Sequence, residues 1–180
     1  VFNGGIAAGE MSFAADEAHA NTEEIQGNNT IRGNLIEYTA GITLINWEEE
    51  VNELHMFKNI TIEDNYVMYA STAGNPSGEK APNIIGTMVF TGRDVPTPCA
   101  NENLVIKDNV FYCSQDALII SGMPEKYYPT YSGNTYAQYA NAPFAHWRFR
   151  DGTFRTVFAN EVAEAFVRNE LGDATGIVLQ

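Results

Sequence analysis

The chain has 180 residues, 44% of them apolar, which is enough for one domain with its own core and too apolar for a disordered segment. Ten lysines and arginines against 23 aspartates and glutamates leave a net charge of −13, so a phosphate backbone is repelled and nucleic acid is not the expected partner. No run reaches the roughly 18 apolar residues of a membrane span, so no membrane insertion is expected, and the opening VFNGGIAAGEMSF, without an initiator Met or basic leader, reads as a processed product or excised fragment.

In chain order, the first element is EMSFAAD (10–16), an incomplete unit 24 residues ahead of Asn34. NTIRGNLIEYT (29–39) follows, with the apolar run GITLINW (41–47) behind it. Next come ITIEDNYVMYA (60–70) with GTMVFTG (86–92), LVIKDNVFYCS (104–114) with ALIISG (117–122), and PTYSGNTYAQYA (129–140). The four longer blocks align on Asn34, Asn65, Asn109 and Asn134, at spacings of 31, 44 and 25 residues. That is near the roughly 20–45 residues of stacked repeats.

Around each asparagine the columns are regular. Three positions before it stand Ile31, Ile62, Ile106 and Tyr131, and two after it Ile36, Val67, Phe111 and Tyr136, which face inward. Two before it stand Arg32, Glu63, Lys107 and Ser132, a solvated face whose neighbours alternate in charge. The residue just before it is Gly33, Asp64, Asp108 or Gly133, so each block reads as strand, tight corner, strand. The wide second spacing places an insertion at residues 70–83, a loop by its Gly, Pro and Ser content.

The tail reads as an end piece. FAHWRFRDGTFRTVF (144–158) predicts a strand pair or irregular cover carrying Arg148, Arg150 and Arg155. Asn160 is placed to cap a helix burying Val162, Ala165 and Phe166, with Gly172 stopping it after Leu171. The organisation expected is one domain, with coils over 1–143 and a cover and capping helix over 144–180.

Three short strands per unit with an inward asparagine at one corner resemble the right-handed parallel β-helix superfamily of pectate lyases and polygalacturonases. The resemblance covers about residues 28–140 and rests on the repeated I-x-[GD]-N-x-[apolar] pattern. It implies an all-β solenoid of about three to four coils with a C-terminal capping helix, earlier coils being absent from the chain. It also implies a hydrogen-bonded ladder of Asn34, Asn65 and Asn109. In SQDALIISG (114–122), Asp116 matches the second acid of the polygalacturonase pair, but Gln115 stands in place of the first, which removes half of it.

Chemistry on such a scaffold belongs to the longer turns held by the rigid stack. The longest recurrent turn joins the third strand to the next first strand, and its members carry Asp16, Glu17 and His19, then Trp47, Glu48, Glu49, Glu50, Glu53 and His55. Arg93, Asp94, Cys99 and Glu102 follow, then Glu125, Lys126, Tyr127 and Tyr128. Acids beside a histidine or arginine and flat rings are the ingredients of a sugar groove. Carboxylates about 5 Å apart suit retaining hydrolysis, and about 6.5–9.5 Å apart inverting hydrolysis. Glu48 and Asp94 are the catalytic candidates because each directly follows the end of a third strand, with Asp16 in the equivalent place one coil earlier. Trp47, His55, Arg93, Tyr127 and Tyr128 are the substrate-binding candidates. The plainer alternatives stay open: a solvating acidic turn, surface histidines and rings packed on the wall. No residue set requires a cofactor or metal; Ca2+ at an acidic turn is compatible, but no dense Asp-x-Asp spacing calls for it. Cys99 and Cys113 are too few for a disulfide framework and lack zinc spacing.

Two functions fit. One is a secreted or cell-surface glycoside hydrolase or polysaccharide lyase, or the C-terminal part of one, working as a monomer on an extended polysaccharide or cell-wall glycan. The charge of −13 favours a neutral or acetylated chain over a polyuronate. The other is a noncatalytic β-helix module for glycan binding, adhesion or spacing.

Overall fold

The computed structural model describes residues 6–11, 24–37, 41–46, 53–69, 86–88, 100–114, 117–160 and 162–179. Among the described residues sixteen strands, one α-helix and a 3-10 turn at Glu125–Tyr127 succeed each other: β1 (Ile6–Met11), β2 (Glu24–Gly27), β3 (Thr30–Arg32), β4 (Leu35–Glu37), β5 (Ile42–Asn46), β6 (His55–Glu63), β7 (Tyr66–Met68) and β8 (Gly86–Met88). Then come β9 (Ala100–Lys107), β10 (Val110–Tyr112), β11 (Ile119–Ser121), β12 (Thr130–Ser132), β13 (Thr135–Ala137), β14 (Pro143–Arg148), β15 (Phe154–Phe158), α1 (Ala163–Asn169) and β16 (Ile177–Leu179).

The strands form parallel sheets, β14–β15 alone being antiparallel among the described pairs. First strands stack as β2 and β3, β6, β9, β12, and second strands as β4, β7, β10, β13, β16. Third strands stack as β1, β5, β8 and as β11, β14. Strands that pair with the same element of the next unit, in register, bury one column each. Ile31, Ile62, Ile106 and Tyr131 lie opposite one another, as do Ile36, Val67, Phe111, Tyr136 and Val178. Except for the half-buried Val178, all of these are buried. Trimming one methylene from the column's centre, Ile62→Val, should lower stability by about 0.5–1.5 kcal/mol in a denaturant titration; no change would mean that Ile62 does not pack there.

Each corner is a single residue at positive φ. Gly33 (67°), Asp64 (54°), Asp108 (55°) and Gly133 (67°) turn the chain just before the aligned asparagines. A second kink lies six residues before the asparagine, at Asn28, Asn59 and Asn103 (58°, 52° and 57°), and a third four after it, at Tyr69 and Cys113. Aspartate and asparagine tolerate this region better than other side chains, which is why they fill the first two sets of corners where glycine does not, while Tyr69 and Cys113 hold the third. The outer column alternates in charge as its sequence implies: Glu63 lies 3.5 Å from Arg32 and 2.8 Å from Lys107.

Several sequence expectations shift. The first third strand pairs with β5 from Ile6 onward, opposite Ile42, so it begins four residues before the expected segment 10–16. The tail forms the expected strand pair, and β14 also continues the third-strand stack on β11. Asn160 Oδ1 accepts from the Val162 amide at 3.2 Å, but the buried helix face is Ala163, Phe166 and Val167, while Val162 and Ala165 are exposed. The i, i+3, i+4 spacing is right but the expected face starts one residue early, because the helix opens at Ala163 with Val162, not Asn160, as its N-cap. The helix ends at Asn169 with Glu170 as its C-cap, two residues short of Leu171, and Gly172 turns the chain beyond it at φ 71°. Strand β16, absent from the sequence reading, then adds a fifth second strand. The insertion at 70–83 lies outside the described residues, as does the sugar-acid match at Asp116.

Candidate functional site

The corner asparagines form one continuous ladder, and its polarity is fixed. Asn34, Asn65 and Asn109 each give the backbone N–H and Nδ2 to Oδ1 of the next asparagine, at 2.9–3.1 Å. Each buried Nδ2 also donates across the core to a carbonyl: Asn65 to Ile31, Asn109 to Ile62, Asn134 to Ile106, all at 2.9 Å. The ladder ends on a residue the column alignment does not contain. Asp173 is fully buried, and its carboxylate accepts from the Gly133 amide (2.8 Å), the Asn134 amide (3.1 Å), Asn134 Nδ2 (3.0 Å) and the Tyr136 hydroxyl (3.0 Å). A carboxylate only accepts, so it terminates a chain that runs donor to acceptor. Burial, then the neighbouring Asp173 carboxylate, push the Tyr136 phenol well up, which keeps it a donor.

This ladder aligns the turns on one side of the stack. Glu53 lies just ahead of β6 and Lys126 and Tyr127 just ahead of β12, two rungs apart, yet they meet. Lys126 Nζ pairs with Glu53 Oε1 at 2.5 Å, and the Tyr127 hydroxyl donates to the same oxygen. Tyr127 is otherwise buried, and its carbonyl accepts from Asn101 Nδ2. Tyr128 is half-buried against Trp147, ring centroids 4.8 Å apart, with its hydroxyl donating to the Arg148 carbonyl. The two candidate tyrosines are thus anchored in the wall at this turn, their rings largely in contact with protein.

The charge state of the cluster follows from its contacts. Hydrogen bonds from Lys126 and Tyr127 hold the Glu53 carboxyl below the usual carboxylate range, and the Glu53 bond pushes Lys126 up to about 12. Burial, then Glu53, push the Tyr127 phenol up. At neutral pH the trio is therefore carboxylate, ammonium and neutral phenol, suited to holding a hydroxylated ligand and not to giving a proton from Glu53. A carboxylate with a lowered pKa contributes above its ordinary value and loses the contribution as pH falls through the lowered one, so the pairing is intact at neutral pH and is lost on acidification. Both partners are exposed, so its share of stability is small. In Glu53→Gln the Lys126 pKa should fall back toward that of an ordinary lysine, with little change in melting temperature. A side-chain NMR titration reads the pKa; an unmoved value would dissolve the cluster.

Of the other sequence candidates, Glu48, Asp94, Asp16, Trp47 and Arg93 lie outside the described residues. His55 opens β6, its backbone opposite Glu24. Glu53 and Lys126 entered the sequence reading only as turn residues. The signal that could have singled them out is their position, one acidic and one basic, each shortly before a first strand. Among the described residues no group of three or more His, Cys, Asp or Glu could hold a metal ion. Cys113 carries a free, buried thiol, which burial pushes up in pKa. Among the described residues no helix is long and apolar enough to cross a membrane. No family model, curated protein or solved structure matches the chain.

Proposed function

We propose that the chain is a right-handed parallel β-helix of the pectate lyase and polygalacturonase type, secreted or at the cell surface, that acts on an extended neutral or acetylated polysaccharide. The substrate lies along the turns joining third strands to first strands. The observation that carries the reading is the meeting of Glu53 with Lys126 and Tyr127, 73 and 74 residues away in sequence. It supports a single wall built from this turn family, two rungs deep, with polar groups at its surface.

On that wall Glu48 and Asp94 are the proposed acid pair, with Asp16 as a further acid or hydrogen-bond acceptor. Two carboxylates at short range repel, which raises one pKa and leaves one group protonated as acid and the other ionised as base or nucleophile. Trp47, His55 and Arg93 would bind the chain beside them. The reaction is glycoside hydrolysis, or elimination where the chain carries esterified uronate residues, whose carbonyl acidifies the C5 proton that leaves as the C4–O bond breaks. The test is a screen of the protein over a polysaccharide panel for new reducing ends and for the ultraviolet absorbance of an unsaturated product. Reducing ends alone support hydrolysis, both signals support a lyase, and neither overturns the catalytic reading.

A noncatalytic glycan-binding module is the second reading. The observation favouring it is that the described acids of this turn family, Glu53, Glu102 and Glu125, are each paired with a cation, and Glu53 is held ionised. Binding without turnover over the same panel would support it.

A further inference from the structure

The first-strand sheet carries its own row of asparagines, on the solvent side. Asn28 stands at the kink between β2 and β3, and Asn59 and Asn103 at the equivalent kinks within β6 and β9, all three at positive φ and exposed. The backbone holds the Asn28 corner: its amide donates to the Lys58 carbonyl at 3.0 Å, and the Asn29 carbonyl accepts from the Thr61 amide at 2.9 Å. The side chains form a directed row. Asn103 Nδ2 donates to Asn59 Oδ1 at 3.0 Å, and Asn59 Nδ2 to Asn28 Oδ1 at 3.2 Å. Asn28 Nδ2 ends the row and donates to no group among the described residues.

Two members of the row also open an Asn-x-Thr triplet in which x is not proline: Asn28-Asn29-Thr30 and Asn59-Ile60-Thr61. Asn75-Pro76-Ser77 is disqualified by its proline, and Asn103 is followed by Leu104 and Val105. Such a triplet on an exposed turn is an acceptor for N-linked oligosaccharide in a chain that enters a secretory compartment. From the triplet, its exposed corner and the free amide together, we infer that Asn28 is an N-glycosylation site. Asn59 is the poorer acceptor. Its Nδ2 is engaged with Asn28, its Thr61 is half-buried where Thr30 is exposed, and it lies one rung away, about 4.8 Å, too close for a second branched oligosaccharide. In the transfer, Asn28 Nδ2 gives one proton to a base and bonds the anomeric carbon of an oligosaccharide carried on a lipid diphosphate. The bond from that carbon to the diphosphate oxygen breaks, and the lipid diphosphate leaves with its electron pair. Asn28 Oδ1 takes no part, so it still accepts from Asn59.

The inference rests on the secreted or cell-surface reading above and not on its catalytic part. The test expresses the full chain behind a secretory leader in a eukaryotic host and recovers it from the secretory lumen and the medium. Trypsin cuts after Arg32 and Lys58, which puts Asn28 and Asn59 on different peptides for mass spectrometry. Each is read before and after peptide N-glycosidase, which leaves aspartate where a glycan stood. The expected result is a glycan on Asn28 that is lost in Thr30→Ala and kept in Thr30→Ser. Because Thr30 is exposed, Thr30→Ala should unfold at the same denaturant concentration as the parent, and it leaves the Asn28 corner in place. An unmodified Asn28 in the luminal chain, or a glycan on Asn59 alone, would overturn the site. Occupancy of Asn28 that survives Thr30→Ala would overturn it too, since the triplet would then not be what is read. The leader is supplied, so an unmodified Asn28 counts against the site and leaves the secreted reading standing, and the polysaccharide screen decides the catalytic reading by itself.

Discussion

Replacing Asp173 by alanine should destabilise the fold by more than about 3 kcal/mol, because it strands several donors at once in a dry site. The Asn134 amide, one proton of the Asn134 side-chain amide and the Tyr136 hydroxyl lose their acceptor there, while the Gly133 amide keeps Thr175 Oγ1 at 2.9 Å. A buried donor left unsatisfied costs about 1–3 kcal/mol, and the three losses need not add fully to exceed that total. Asp173→Asn should cost less, since its Oδ1 can accept from the Asn134 amide and Nδ2 as the other ladder asparagines do, leaving its amide protons facing the Gly133 amide and Thr175 Oγ1. The packing around the carboxylate is tight: a Cβ at Gly176 would sit 2.7 Å from the Asp173 carboxyl carbon. The midpoint of a denaturant titration checks the prediction. A variant within about 1 kcal/mol of the parent would mean that the ladder does not need its terminator.

The second large effect is on turnover. If the turns form a catalytic groove, Glu48→Gln and Asp94→Asn should each lower turnover by about 10²–10⁴, the range for loss of a positioned acid or base, without lowering the melting temperature. The parent's pH–activity profile should be bell-shaped, and each variant should lose one limb of it. Full activity in both would move the chemistry elsewhere on the molecule.

What the sequence made legible follows from which interactions repeat. The columns of Ile31, Ile62 and Ile106 and the corner asparagines recur at matching positions, so stacking in register is their shared requirement and alignment finds them. Asn134 belongs to the ladder even though its column neighbours Tyr131 and Tyr136 are aromatic, because both rings are buried like the aliphatic residues they replace. Asp173 was invisible for a chemical reason. It does the work of a fifth asparagine from three residues before the expected position, Gly176, and as an acid, because an end needs an acceptor only. The exposed ladder of Asn28, Asn59 and Asn103, with Nδ2 to Oδ1 distances of 3.2 and 3.0 Å, also escaped notice. Its members stand six residues before the corner asparagines, and the fourth unit has Tyr128 there. The Glu53–Lys126–Tyr127 contact joins unlike residues from different turns, so no periodicity announces it.

Every placement of a functional group above depends on rungs stacking in register on the buried ladder. Hydrogen exchange of the asparagine side-chain amides, followed by NMR on the uniformly labelled chain, tests that directly, with Asn28, Asn59 and Asn103 as exposed internal controls. The account predicts slow exchange at Asn65, Asn109 and Asn134, whose amides are buried and doubly bonded, and fast exchange at the three controls. Equally fast exchange at all six would contradict it.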